Sequence, residues 1–467
     1  MKPLENPWFV FPTIGFIATI AFWLYVMVFP VPFHHTDGDT ATWIWLLRHG
    51  YNLYSPAQGL PMLQTNYPPL FLFGMANVVS SDHSILVTGS VFSLLSFLAT
   101  AFLLGQTVAR ASQHRSAGII AAFAFLSLGP IGYSGPACLS DGPALAVALL
   151  AVTCAARRIR GWPVLCAALF SISLLMKHSL IVFPVGVMLW ALLRHTKQGI
   201  LLSALTGFIV GSVVFGFDLF GPLVVWSALR FSWLGFFPKF AAFVLPLFAG
   251  FVCVVRILTD WRKIPSNTQN EIEPWLYVFA VSMVWCFALG RTGAGSNYVF
   301  ELLCALTVLS TFAAYQFQIR NWFSVHLALS AFVGLIWLGH FSWNVIPKAR
   351  AGMITAGDCA RLDNLPILSE QSWYTTRVGR PPLTIPFLAN QLARNHFFDD
   401  RELIDWVRKR KIGWLMFHFD LHETTSKYDS THQERFSAEL LETARSRYEL
   451  YRQVGDIFIY KAKNQTP

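Results

Sequence analysis

The chain has 467 residues, of which 54% are hydrophobic and only 13% charged, and it uses 41 Phe and 17 Trp. Soluble domains carry about 25% charged residues, so the roughly three soluble domains that the length alone would allow are excluded. With a mean hydropathy of +0.49, neither a disordered chain nor a nucleic-acid-binding tail protein fits, and the composition is that of an integral membrane protein. The net charge of +10 is unevenly spread. Residues 1–345 hold 17 Lys and Arg against 10 Asp and Glu, whereas residues 346–467 hold 18 against 15. A hydrophobic body is therefore expected over 1–345, followed by a small water-exposed domain over 346–467. The seven cysteines fall mainly in apolar stretches, with only Cys359 in the polar part, which is neither a disulfide framework nor a CxxC metal site.

A bilayer core takes about 20 apolar residues per helix. The first candidate, Val10 to Val31, is too long for a signal-peptide core and reads as an uncleaved anchor. Further spans are expected near 84–105, 117–134, 139–156, 162–176, 179–193, 199–217, 240–257, 274–290, 297–315 and 322–345, about eleven in all. Pro68–Val79 is too short to cross and reads as an interfacial or re-entrant piece. With the N-terminus cytoplasmic, twelve Lys and Arg fall in inner segments and five (Arg48, Lys177, Arg230, Lys239, Arg291) in outer loops, as the positive-inside rule requires. An odd number of spans then puts residues 346–467 outside, in periplasm or lumen.

Asp37, Asp39, Asp82, Asp141, Asp218 and Glu301 all fall at or near the outer face. Carboxylates there are costly unless paired or functional. Together with the five outer bases they suggest a polar cavity opening outward, the plain alternative being placement at headgroup level. Residues 33–66 form the longest outer loop. Asp37-Gly38-Asp39 sets two carboxylates two residues apart, more than a single helix N-cap needs. Trp43, Leu46 and Leu47 recur at helical spacing, so Thr40–His49 is expected to be a helix lying flat on the membrane surface and ended by Gly50. Asn66-Tyr67-Pro68-Pro69-Leu70 leads back to the membrane.

Several segments in this order resemble the GT-C superfamily of polyprenyl-phosphate-sugar-dependent glycosyltransferases, including protein mannosyltransferases and lipid A aminoarabinose transferases. They are the Asp-bearing first loop with its YPPL return, Ser140-Asp141-Gly142-Pro143 opening a span, and Met176-Lys177-His178-Ser179 between two spans. Gly293-Ala294-Gly295-Ser296-Asn297-Tyr298 with Glu301, Ile367-Leu368-Ser369-Glu370 and Gly455–Tyr460 complete the set. The loop has Asp-Gly-Asp where protein mannosyltransferases have Asp-Glu, closer to the Asp-x-Asp of lipid-anchor mannosyltransferases.

The resemblance implies a polytopic helical fold with a small C-terminal extracytoplasmic α/β domain, in a bacterial inner membrane. It implies transfer of a sugar from a polyprenyl-phosphate donor to a lipid, glycan or protein acceptor. In such a reaction a carboxylate takes the acceptor's proton and in-line attack inverts the anomeric centre. No second carboxylate serves as nucleophile, unlike in retaining hydrolases. The resemblance assigns the base to Asp37 or Asp39, with Asp37 the first choice. The departing phosphate calls for a cation, and Lys177 and Arg291 are the candidates, their plain alternative being snorkelling to the headgroups. Asp141, Tyr67, His178, Asn297, Tyr298 and Glu301 are further candidates for holding sugar or phosphate. Asp37 and Asp39, with His34 and His35 beside them, also suit a divalent ion. Adjacent His side chains point apart, however, and many members of the superfamily work without metal, so no cofactor is expected. His418 and His422 have the spacing of half a zinc site only if helical, and Trp414–Phe419 reads as a strand.

In the polar domain, strands are expected at 365–370, 412–419 and as a pair over 448–461, with helices at 387–396, 401–410 and 436–447. The domain is expected to cover the outer cavity and help choose acceptors. Two other classes compete: a secondary transporter or flippase of lipid-linked sugars, and a non-catalytic scaffold. Transporters carry internal repeats and place polar sites near the midplane. This chain shows no repeat at a fixed offset, and its acids gather at one face.

Overall fold

The computed structural model describes residues 7–32, 35–54, 59–216, 231–291, 294–362, 365–394, 396, 398–422, 435–455 and 457–463. Asp218, Arg230, His34 and Gly293 lie outside the described residues. Each expected span coincides with a helix or a pair of helices: α1 (Pro7–Val28), α4 (Ile85–Ser112), α5 and α6 (Arg115–Leu126, Gly129–Ser134), α7 (Asp141–Ala156), α8 (Trp162–Met176), α9 (Val182–Arg194), α10 (Thr196–Gly216), α11 and α12 (Trp233–Phe243, Phe248–Thr259), α13 (Ser266–Trp285), α14 (Phe300–Phe317) and α15 (Arg320–His340). Among the described residues seven helical stretches have the length and apolarity to cross a bilayer. The helices at Arg115–Leu126, Asp141–Ala156, Trp162–Met176 and Val182–Arg194 are apolar but shorter.

Helix α14 is the centre. It is buried from Phe300 through Ala314 and packs against α4, α5, α12 and α13. Small residues let neighbouring backbones close up, as is usual where lipid gives no hydrophobic drive for association. At the α4–α5 crossing a Cβ on Gly105 would stand 2.8 Å from the Gly118 carbonyl oxygen, and one on Gly118 would stand 2.5 Å from that of Gly105. The residues assigned to inner loops meet at one end of the bundle. There Arg110 pairs with Glu271 at 3.2 Å and Arg194 with Glu273 at 2.6 Å, and Arg158 donates to Asn270.

Helix α2 (His35–Arg48) departs from expectation. Thr40 through Leu46 are all buried, because α2 is wedged between α3 (Pro69–Val78), α4 and the short helix α17 (Trp373–Arg377) of the polar part. A helix on a membrane surface would keep one wet face, and this one keeps none over that stretch. Its end is as expected. Gly50 has φ +79°, and the amides of Gly50 and Tyr51 reach back to the carbonyls of Leu47 and Leu46, a Schellman termination. Pro68 and Pro69 start α3, with Pro68 in extended conformation. The helix packs on α2 and α8.

From α15 the helical path runs on through a π-helical turn (Phe341–Val345) into α16 (Ile346–Leu362). Beyond it stands a four-stranded sheet in the order β1 (Ile367–Ser369), β2 (Trp414–Phe417), β4 (Ile457–Ala462), β3 (Tyr448–Val454). β1 and β2 are parallel and the other pairs antiparallel. Strand alternation splits the core. Leu415 and Phe417 pack with helices α19 (Arg401–Arg408) and α20 (Ala438–Arg447). Trp414 and Met416 pack with Tyr374, Ile457 and Ile459 on the other face. Helix α18 (Pro386–Arg394) packs its apolar side, Leu388 and Leu392, into the cluster around α2.

Gly118→Val forces backbone apart at the α4–α5 crossing and is expected to cost about 1–3 kcal/mol. Thermal unfolding of the purified protein in detergent will show it as a lowered midpoint.

Candidate active site

Where α2, the turns before α7 and α9, and the polar part come together they enclose a cavity of about 380 Å³. Asp37 and Asp39 sit two positions apart on α2, about 200° around the helix axis, and so face different surroundings. Asp39 lines the cavity. Asp37 is buried, and its Oδ1 accepts the Cys138 amide proton at 2.7 Å. Asp39 Oδ1 accepts a 2.8 Å hydrogen bond from the Ser372 hydroxyl. Withdrawal from water pushes the Asp39 carboxyl up to about 6, against the opposing effects of the Ser372 bond and the Arg435 charge. The group is therefore ionised at neutral pH while holding its proton more tightly than an ordinary aspartate.

Lys177, at the C-terminal end of α8, is 5% exposed and Asp141, at the first turn of α7, is 2% exposed. Lys177 Nζ lies 3.2 Å from Asp141 Oδ2 and donates to Tyr67 Oη at 2.7 Å, 4.0 Å from that ring's centroid. Burial, with the charges of Asp141 and Asp39, raises the Tyr67 phenol well above its ordinary range and keeps it a neutral hydroxyl. All three line the cavity with Asp39.

Of the other sequence candidates, His178, Asn297 and Tyr298 line the cavity, and Arg291 and Glu301 do not. Glu301 is buried in α14, where its Oε1 accepts the Phe183 amide proton at 2.8 Å. A carboxylate at the first turn of α9 satisfies an otherwise orphan donor and meets the positive end of the helix. The carbonyl of Arg291 accepts from Lys239 at 3.4 Å, and it is the half-buried Lys239 of α11 that reaches the cavity. Arg48 and Asp82 also lie away from the cavity and pair with each other at 3.2 Å. The outer-face charges thus form one cavity only in part.

Sequence reasoning missed Lys239, Tyr133, Ser296, Glu370 and Arg435. Tyr133 and Ser296 share a hydroxyl–hydroxyl hydrogen bond, and Tyr133 stacks on Trp337 and Phe341 at 5.0 and 4.7 Å between ring centroids, making an aromatic wall. Glu370 follows β1 directly. Its Oε1 accepts from Arg435 Nη1 at 2.6 Å, and its Oε2 accepts from the His418 amide at 2.7 Å with the His418 ring Nδ1 at 3.2 Å. Burial alone would raise the Glu370 carboxyl, but Arg435 and His418 outweigh it and hold the group well below the usual carboxylate range. The signal for Glu370 was present in the Ile-Leu-Ser-Glu segment, whereas Arg435 carried none.

Among the described residues no three His, Cys, Asp or Glu gather as a metal-holding group. His418 and His422 lie in the turn after β2, where each backbone amide donates to a carboxylate, Glu370 and Asp420 respectively.

No protein-family model and no curated relative matches the sequence. The structure is similar to that of ArnT from Cupriavidus metallidurans bound to undecaprenyl phosphate, with a TM-score of 0.61 and 12% identity over 96% of this chain and 98% of that one. It is likewise similar to the apo form of ArnT, with a TM-score of 0.60 and 11% identity over 96% and 99%. ArnT is an aminoarabinose transferase of the GT-C fold. The chain is therefore an integral, multi-pass membrane protein with the GT-C fold and a small C-terminal sheet region.

Breaking a buried ion pair strands the remaining charge, so Lys177→Met is expected to destabilise the protein by about 3–5 kcal/mol. Adding Asp141→Asn should recover most of the loss. SDS titration of both variants in mixed micelles measures the difference.

Proposed function

We propose that the protein is a glycosyltransferase that moves a sugar from a polyprenyl-phosphate donor to a lipid, glycan or protein acceptor at the extracytoplasmic face of a bacterial inner membrane. The observation that carries this reading is the joint presence in one cavity of a carboxylate in no ion pair among the described residues, Asp39, and two ammonium groups, Lys177 and Lys239. The fold agrees with it, since undecaprenyl phosphate is bound by ArnT in one of the similar structures.

In this reading Asp39 accepts the acceptor's hydroxyl proton as oxygen attacks the anomeric carbon from the side opposite the phosphate. One displacement of this kind inverts the centre. The bond to phosphate breaks with its electron pair, and the phosphomonoester departs towards cationic groups whose charge stabilises it. Lys239 suits that role best, being half-buried and touching only a carbonyl oxygen among the described contacts. Lys177 is neutralised by Asp141 and holds Tyr67 in place. Asp37 is structural here, serving the Cys138 amide. His178, Asn297 and Tyr298 are placed to hold the sugar, and the membrane lipids and donor chain meet the aromatic wall of Tyr133, Trp337 and Phe341. The positive-inside bias supports a cytoplasmic N-terminus with the polar domain outside. That domain is read as a unit of about residues 346–467 that follows the membrane domain of 1–345 and covers the cavity. The chemistry needs no cofactor.

The test is transfer from a panel of radiolabelled polyprenyl-phosphate sugars in membranes. General-base removal costs about 10²–10⁴-fold, so Asp39→Asn should lose transfer to that extent while Asp37→Asn retains most of it. A base that must be ionised fails as pH falls through its own value, so wild-type transfer should decline below about pH 6. Full transfer by Asp39→Asn would sink the assignment of the base. No transfer from any donor, with lipid-linked sugar crossing the bilayer of reconstituted vesicles instead, would favour a flippase.

A further inference from the structure

The Asp39 carboxylate belongs to the membrane part of the chain, yet its hydrogen-bond donor comes from 333 residues further on. Several features of the polar part converge on that bond. β1 and β2 run parallel, so their carboxyl ends open on the same side, and Glu370 and His418, the residues that follow them, meet there. The Glu370 amide donates to the Met416 carbonyl at 2.9 Å, which carries the strand pairing one step beyond β1. Gln371 donates its amide to Ser369 Oγ at 3.2 Å, and Ser372, 1% exposed, then stands against α2. Gly38 explains how α2 comes so close. A Cβ there would lie 3.2 Å from Gln371 Oε1 and 3.4 Å from Trp373 Cβ. The glycine between the two aspartates is thus where the turn after β1 seats.

We propose that Ser372 is a positioning residue that fixes the Asp39 carboxylate for proton abstraction, and that Arg435, itself held by Glu370, sets the field in which that carboxylate works. The proposal rests on the reading of Asp39 as the base. It makes the C-terminal domain part of the catalytic apparatus and more than a cover. The groups that face Asp39 are few. Ser372 and Arg435 approach from the polar part, with Glu370 neutralising Arg435. Tyr67 approaches from the loop before α3, with the Lys177–Asp141 pair beside its hydroxyl. On α2 itself Asp37 turns to Cys138, while Arg48 and His49 pair with Asp82 at the far end of the helix. Arg377, at the end of α17, meets His83. A hydroxyl donor stabilises only the ionised carboxylate, so its removal must raise the pH at which Asp39 loses its proton.

Two measurements on the full-length protein in detergent separate the outcomes. The first is the infrared band of the protonated Asp39 carboxyl, isolated as wild type minus Asp39→Asn over a pH series. Ser372→Ala should move its midpoint upward by about one pH unit, the order expected for a hydrogen bond to a charged group. Ser372→Thr keeps the donor and should restore the wild-type midpoint. An unshifted midpoint in a Ser372→Ala protein that unfolds at the wild-type temperature overturns the proposal. The second is the acid limb of sugar transfer, which should follow the infrared midpoint in each variant. An activity loss equal at every pH would mean a merely structural role and also overturns it. A midpoint that moves while the acid limb stays would show instead that Asp39 is not the base, and the positioning role falls with that reading.

Discussion

A carboxylate withdrawn from water must find a cation or a hydrogen-bond donor, and the arrangement around this protein's cavity follows from how each acid meets that demand. Asp141 takes Lys177, Glu370 takes Arg435 and His418, and Asp82 takes Arg48. Asp37 and Glu301 take backbone amides, from Cys138 and Phe183. Asp39 is met by a neutral hydroxyl, that of Ser372. The difference is chemical as well as structural. A full cation in contact lowers a carboxylate's proton affinity and a backbone amide ties it to the scaffold. A hydroxyl in a closed site leaves affinity for a proton and a face turned to the cavity. Of these acids, Asp39 is the one that lines the cavity outside an ion pair among the described residues.

The same demand explains why the cavity has walls from both parts of the chain. Tyr67 and Lys177 are mutually useful only with Asp141 beside them, and those three come from a loop, a helix end and a helix start brought together by the packing of α2, α3, α7 and α8. Above them the ends of two parallel strands deliver Glu370 and the segment leading to Ser372. Ligand sites form outside the carboxyl ends of parallel strands because the chain leaves the sheet there with free direction. In this protein that edge closes the site against α2.

Much of this was legible along the chain and little of it around the axis. Hydropathy fixes where a helix begins and ends along the chain, which is why every expected span met helical structure and why Asp141 and Lys177 were read at the ends of helices. It does not fix rotation when a helix is apolar over most of its circumference. Arg291 and Glu301 were at the right depth and yet lie off the cavity, while Lys239 lines it. Spacing does not separate Asp37 from Asp39 for the same reason: two residues apart on a helix are about 200° apart in direction, and only the neighbours decide which lines the cavity. The burial of α2 on all sides was hidden because its second cover, α17, lies more than 300 residues away in sequence. Turn chemistry, being local, was read correctly. Gly50 ended α2 and the Pro68-Pro69 pair opened α3.

The helical path from α15 through the π turn to α16 joins these two parts in a way a flexible linker would not. Trp337 and Phe341, on the cavity wall, stand about four and three turns of helix from Gly352, where α16 passes so close to Tyr374 that a Cβ would lie 2.3 Å from its hydroxyl. Tyr374 lies in α17, the helix that directly follows Ser372 and that packs on α2. α15 is therefore connected to the Ser372–Asp39 bond through α16 and α17. π-helical turns recur at functional sites because the extra residue per turn re-aims the side chains around it. Here the turn lies between the aromatic wall and the helix that seats the polar domain. The aromatic wall of Trp337 and Phe341 and the Ser372–Asp39 bond, on two sides of one cavity, are thus joined by a single run of helices.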